Sequence, residues 1–289
     1  MKLRRERAAQ TEQLLIPTDT VTKPHNTEPK YSTLACDLTG PVKTITLNRP
    51  ERRNAISGEM IEDLLSTLAH AEAAESVRVV ILTGTGKAFC SGMDLEVLQT
   101  VTNQTPAENL GDSRQMARLF QRVYSFSKPL ITAVNGAAIA GGCGLATFSD
   151  ITLAVPEAKF GYSEVRIGFI PALVSVILRR QVGEKRAREL ALTGRTFDAA
   201  EAFRLGLVTE IVPAEKLMER AHAIASDFLQ SSPSSLLHTK QLLLHYDEGD
   251  VQREIELAIK ANADIRSTED FREGVTAFLE KRAPKWTGR

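Results

Sequence analysis

The chain has 289 residues, 43% of them hydrophobic, enough for one large core or a core with an appendage. Its 36 Lys and Arg balance 36 Asp and Glu, and a sequence-independent nucleic-acid binder needs a positive excess to displace counterions, so no nucleic acid is expected as a partner. Cys36, Cys90 and Cys143 make no CxxC pair and the five histidines supply no metal-ligand spacing beside them, so no metal is expected and the thiols read as reduced and cytoplasmic. No apolar run reaches the ~18 residues of a membrane span, and no membrane association is expected.

Residues 1–30 are polar, carry Pro17, Pro24 and Pro29, and lack periodicity, which reads as a disordered N-terminal extension. Arg4, Arg5 and Arg7 would suit a transit segment, but Glu6, Glu12, Asp19 and Glu28 argue against one. From Lys43 to Asn48, Ile45 and Leu47 alternate with threonines, the pattern of a half-buried strand. From Glu59 to about Ser76, Met60, Ile61, Leu64, Leu65 and Leu68 share one helical face. Val79–Thr83 is a buried strand ended by Gly84. The pattern then repeats with a helix around Arg114–Ser125, a strand at Leu130–Val134, a Gly-rich turn, a short helix and a strand at Ile151–Val155. This alternation predicts an α/β fold with largely parallel pairing. After Pro171 the pattern turns helical, at about 172–181, 184–192, 198–205 and 214–230, with three more helices to about 281 and only Val208–Val212 extended. The organisation expected is a core over 31–212 and a helical region over 213–289.

Three glycine clusters follow buried strands. Gly84-Thr-Gly86-Lys87 fails as a phosphate loop, because Ile81 and Ala88 stand where Walker A needs Gly and Ser or Thr. Phe89-Cys-Ser-Gly-Met-Asp94 and Asn135-Gly136 through Gly144 each follow a strand, and a helix beginning at Gly141 would aim free N–H groups at a ligand. Two such turns could hold one oxyanion, although ordinary turns have the same composition. In Lys159-Phe-Gly-Tyr-Ser-Glu164-Val, Glu164 lies among Phe160, Val165, Ile167, Phe169 and Ile170, where desolvation would raise its pKa toward acid/base use. Spacing alone also allows a surface glutamate near a helix start.

These segments resemble the crotonase (enoyl-CoA hydratase/isomerase) superfamily over about residues 35–286. The resemblance rests on Asn48-Arg49-Pro50, Ala88 to Asp94, Ala133-Val-Asn-Gly136 with Gly141-Gly142, Lys159-Phe-Gly161 with Glu164, Leu192-Thr-Gly194, Gly206-Leu-Val208 and Glu280-Lys281-Arg282. It implies a spiral of ββα units with a helical C-terminal region that forms trimers or dimers of trimers. It also implies acyl-CoA substrates, with coenzyme A as part of the substrate and no further cofactor. By position it implies oxyanion-hole amides at Ser91 and Gly141 and an acid/base at Glu164. An acyl-CoA path would run past Ser91, Gly92, Met93 and Asp94, and Phe278 and Lys281 would reach a neighbouring subunit's CoA. A helix face packed on the core with a solvated lysine would explain the last two equally well.

One departure bears on the reaction. Hydratases of this family commonly hold water between two glutamates, and here Gly144 stands at the first position. Ser163-Glu164-Val-Arg-Ile-Gly-Phe-Ile-Pro-Ala172 resembles the methylglutaconyl-CoA-hydratase-like branch, which favours hydration of a 2-enoyl thioester. The single carboxylate favours a Δ3-Δ2 enoyl-CoA isomerase. An inert CoA-binding relative or an RNA-binding one is the reading outside enzymology. Cys143 reads as packing and Asp150 as a structural acceptor, while Glu108 and Asp112 are candidates to approach the acyl end.

Overall fold

In the computed structural model, residues 29–289 are described, apart from the side chain of Leu95. The expectations for residues 1–28 lie outside that range. Strands β1 (Leu34–Thr39) and β2 (Val42–Leu47) form an antiparallel hairpin, and β2 then pairs in parallel with β3 (Val79–Gly84). Between them runs α1 (Gly58–Ala73), which starts where Ser57 Oγ accepts from Met60 N and buries Met60, Ile61, Leu64 and Leu68 on the face expected from their spacing.

The chain then repeats a pattern. β3 continues into the three-residue β4 (Ala88–Cys90) and α2 (Leu95–Val101). After α3 (Pro106–Tyr124), β5 (Leu130–Val134) leads to β6 (Ala137–Ile139) and α4 (Gly141–Thr147). β7 (Ile151–Ala154) leads to β8 (Lys159–Gly161) and the 3-10 turn Glu164–Ile167. In each repeat the first strand enters a six-stranded sheet of order β1-β2-β3-β5-β7-β10, and the second enters a four-stranded sheet of order β4-β6-β8-β9. β9 is Thr196–Asp198 and β10 Glu210–Ile211. This is the expected spiral of ββα units. The extended segment expected at Val208–Val212 is strand only at Glu210–Ile211, beside β7.

α3 begins eight residues before the expected Arg114. Pro106 opens it, and Thr105 and Glu108 form a reciprocal capping box that a polar first turn conceals from apolar periodicity. The C-terminal half is helical: α5 (Ala172–Val182), α6 (Glu184–Thr193), α7 (Ala199–Arg204), α8 (Leu217–Leu229), α9 (Pro233–His245), α10 (Glu248–Asp264) and α11 (Glu269–Leu279). α10 packs on α3 and α5, and α11 on the turn that carries Glu164. Residues Tyr31–Arg289 thus pack as one unit.

Candidate active site

β4, β6 and β8 are parallel and adjacent, so the segments leaving their C-terminal ends emerge side by side. Those segments are Ser91–Asp94, Ala140–Gly141 and Ser163–Glu164. They line a cavity of about 580 Å³ whose other walls include Ile56, Leu98, Met116, Phe120 and Phe169. Gly142 permits this approach, since a Cβ there would lie 2.3 Å from Cys90 O.

Glu164 opens the 3-10 turn and is 7% exposed. Its Oε2 is buried without a hydrogen-bond partner among the described residues. Burial pushes its pKa up to about 7, opposed by a hydrogen bond from its own backbone N–H. Both protonation states are therefore populated near neutrality, as a group that takes and returns a proton requires. Two other carboxylates line the cavity. Glu51 is exposed at a 3-10 turn, and Asp94 caps α2 by accepting from Glu96 N at 3.0 Å. Arg49 Nη1 lies 2.8 Å from Asp94 Oδ2 as an ion pair, but its aligned hydrogen bond goes to Ala55 O, so Oδ2 accepts none.

The backbone groups separate sharply. Ser91 N donates to Arg53 O at 3.1 Å, so the amide expected there to hold an oxyanion already has an acceptor. Two residues on, Gly92 O accepts from Ile56 N at 2.7 Å and Asp94 N donates to Ile56 O at 3.0 Å. In a trans peptide C=O and N–H point in opposite directions, so Met93 N–H is directed away from Ile56, and no acceptor for it exists among the described residues. The same holds at Gly141. Ala140 O turns into α4 to accept from Cys143 N at 2.9 Å, which points Gly141 N–H out of the helix start, again without an acceptor. Ala140 achieves this at φ 51° and ψ −125°, a conformation costly for a residue with a Cβ, held by Ala140 N donating to Gly161 O at 2.7 Å. Gly92, at φ 91°, brings the two turns together: a Cβ there would lie 3.0 Å from Ile139 O and 3.2 Å from the Cβ of Ala140.

Of the expected site residues, Ser91, Met93, Asp94, Gly141, Glu164 and Phe278 line the cavity, the last from its own chain. Gly92 is buried behind the lining, and Lys281 is exposed beyond α11 at φ 55°, outside it. Gly144 is walled in, because a Cβ there would lie 2.8 Å from Val174 Cγ1 and 3.2 Å from Phe120 Cε1. Glu108 only caps α3, and Asp112 lies outside the lining. Asp150 accepts from Leu130 N and pairs with Lys240 Nζ at 2.7 Å. Cys143 is fully buried, with its thiol pushed up to about 12 by desolvation. Sequence reasoning missed Arg52 and Arg53 in the lining, and Asn262 and Arg266, which enter from α10 and the turn after it. Among the described residues no cluster of three or more metal-ligating side chains occurs, and no helix is long and apolar enough to cross a membrane.

Residues 38–289 match the family described as enoyl-CoA hydratase/isomerase. A Thermus thermophilus protein named as an enoyl-CoA hydratase is 49% identical over 247 residues, 86% of this chain and 98% of that one. The 1,2-epoxyphenylacetyl-CoA isomerase of Escherichia coli is 35% identical over 251 residues, covering 86% and 95%. The crystal structure of an enoyl-CoA hydratase/isomerase from Xanthobacter autotrophicus Py2 superposes with a TM-score of 0.81 at 30% identity, covering 88% of this chain and 98% of that one. With the order of its ββα repeats and nearly its whole described length matched, the chain belongs to the enoyl-CoA hydratase/isomerase family.

Proposed function

We propose that the protein hydrates a 2-enoyl-CoA thioester, with Glu164 as the sole acid/base and the amides of Met93 and Gly141 as the oxyanion hole. The observation that carries this reading is a nearly buried carboxylate with a free oxygen, balanced near neutrality, on the wall of a cavity that also bears two unpartnered backbone N–H groups. The thioester oxygen accepts from both amides, which stabilise negative charge as it develops. Ionised Glu164 takes a proton from water as its oxygen bonds to the β-carbon, and the enolate forms on the thioester. Protonated Glu164 then returns that proton to the α-carbon on the same face, leaving a 3-hydroxyacyl thioester. Arg52 and Arg53, in the cavity lining, suit the phosphates of CoA. The two unpartnered amides and the balanced carboxylate also speak against an inert CoA-binding relative.

A second reading is favoured by the wall at Gly144. Phe120 and Val174 stand where a second carboxylate would help hold water. Glu164 moving a proton from the α-carbon to the γ-carbon of a 3-enoyl thioester needs no such group. Incubation of 2-enoyl and 3-enoyl thioesters in ¹⁸O-water separates the two. Hydration adds one labelled water to the product mass, isomerisation leaves the mass unchanged, and conversion of neither substrate contradicts both.

A homotrimer or dimer of trimers in the cytoplasm belongs to the same proposal. Leu242, Leu243 and Tyr246 at the end of α9 and Leu257 on α10 are more than half exposed, apolar surface suited to a subunit contact. Sedimentation of the purified chain as a monomer would contradict this.

A further inference from the structure

A water aimed at the β-carbon needs an acceptor for each of its two hydrogens, one that takes a proton and one that holds the other in place. Glu164 supplies the first. The wall at Gly144 cannot supply the second, because Val174 and Phe120 accept nothing. Most of the other polar side chains in the lining are committed or out in solvent. Asp94 caps α2 and pairs with Arg49, the Asn262 carbonyl oxygen is shared by Ser113 and Arg266, and Glu51 is exposed. The arginines only donate. Two hydroxyls remain, those of Ser91 and Ser163. Both residues are half-buried in the lining, and neither hydroxyl makes a hydrogen bond among the described residues.

The strands separate these two. Ser91 leaves β4 and Ser163 follows β8, and the order β4-β6-β8 puts the turn of Ala140 and Gly141 between them. Ser163 is the residue before Glu164. It stands at the head of the 3-10 turn Glu164–Ile167, where a serine side chain ordinarily caps, yet this one caps nothing. Its backbone carbonyl closes the turn instead, accepting from Arg166 N at 3.0 Å. The side-chain oxygen also keeps some contact with solvent. A hydroxyl whose two lone pairs the local backbone leaves unused therefore stands beside the acid/base on the cavity wall. We propose that Ser163 Oγ is the second holder of the attacking water, accepting from the hydrogen that Glu164 does not take. As the water oxygen bonds to the β-carbon, one proton passes to Glu164 and on to the α-carbon. The other stays on that oxygen as the hydrogen of the new 3-hydroxyl, still donating to Ser163 Oγ. The inference rests on the hydration reading and adds what orients the water where a second carboxylate is missing.

Two rates measured on the full chain test it. One is hydration of short and medium 2-enoyl-CoA thioesters, and the other is exchange of the α-protons of the matching saturated thioesters in deuterium oxide. Exchange needs Glu164 and the two amides but no attacking water. The proposal expects Ser163→Ala to hydrate roughly tenfold more slowly, with the loss in kcat rather than KM, while exchange stays within about twofold of the wild type. Ser163→Cys keeps the shape of the side chain with a much weaker acceptor and should show the same split; it decides alone if Ser163→Ala does not fold. Hydration by these variants within about twofold of the wild type overturns the assignment and leaves the hydration reading standing. A parallel loss of hydration and exchange also overturns it, because Ser163 would then act by placing Glu164. A wild type that exchanges α-protons but hydrates none of the 2-enoyl thioesters overturns the hydration reading and the assignment together.

Discussion

In the six-stranded sheet, β5 is buried along its whole length and β3 up to its closing glycine, and Thr83 between them answers its own hydroxyl by donating to Ala133 O at 2.8 Å. In the four-stranded sheet the strands leading to the cavity are three residues long, and the turns leaving them hold groups that nothing among the described residues answers: Met93 N, Gly141 N and Glu164 Oε2. Ala140, the residue in the costliest backbone conformation near the cavity, sits in one of those turns. The larger sheet supplies hydrophobic burial and a rigid base. The smaller one, built against it, holds unsatisfied polar groups in fixed directions, which is how a folded protein pre-organises a site at a cost in stability.

If that division is right, changes on the small sheet's turns should cut turnover while leaving or even improving stability. Glu164→Gln should lower turnover the most, on the order of 10⁴-fold, because no other carboxylate in the lining is placed to move the proton. It should also stabilise the fold above neutral pH. A carboxyl raised from 4.5 to about 7 in the fold stabilises the native state fully below about pH 4.5, and that contribution is lost as pH rises to 7. Above pH 7 the wild type holds a buried carboxylate that the variant lacks, a difference of about 3 kcal/mol at most. Melting curves should therefore coincide near pH 4 and separate above pH 7; a variant no more stable than the wild type at pH 8 would show Glu164 to be better solvated than described.

Gly141→Pro removes one oxyanion donor at the first position of a helix, where proline is tolerated. A Cβ there meets only Ile56 Cδ1 and Phe120 Cζ, at 3.4 Å. Turnover should drop ~10²–10³-fold with near-native melting; retention of turnover within a few-fold would remove Gly141 N from the site.

Gly144→Glu tests the apolar wall. The clash with Val174 and the burial of an unpaired acid should cost about 3 kcal/mol in chemical denaturation, with no gain in hydration. Faster hydration in a stable variant would mean that a second carboxylate fits after all. The smallest effect is expected at Ala140→Gly, which relieves the left-handed strain. It should raise stability by about 1 kcal/mol and lower turnover a few-fold, as Gly141 N–H loses its fixed direction. A destabilised variant would mean that Ala140 stores no strain.

The sequence carries the large sheet openly, since buried runs such as Val79–Thr83 and Leu130–Val134 and the face of α1 have a readable period. Ala88–Cys90 and Ala137–Ile139 are too short for any period and lie inside glycine-rich turns, so the second sheet was invisible to pattern reading. The place of Glu164 and Gly141 could be read from motif order. Which amide after β4 is free could not, because Ser91 and Met93 differ only in which way a peptide plane faces. The start of α3 was legible in Thr105 and Glu108, a capping signature outside the apolar pattern. Arg266 was not, for a charged residue just past a helix reads as solvated, and its burial follows from α10 packing on α3 and α5 over a long stretch of chain.

The central claim is that Glu164 and the two amides together make and protonate an enolate, whatever acyl chain is bound. Exchange of the α-protons of a saturated acyl-CoA in deuterium oxide, followed by NMR, reads that step alone. The wild type should exchange them, with a rate rising with pH to a plateau above about pH 7, and Glu164→Gln should not exchange them measurably. Exchange that persists in Glu164→Gln, or its absence in a wild type that binds the thioester, would contradict the account.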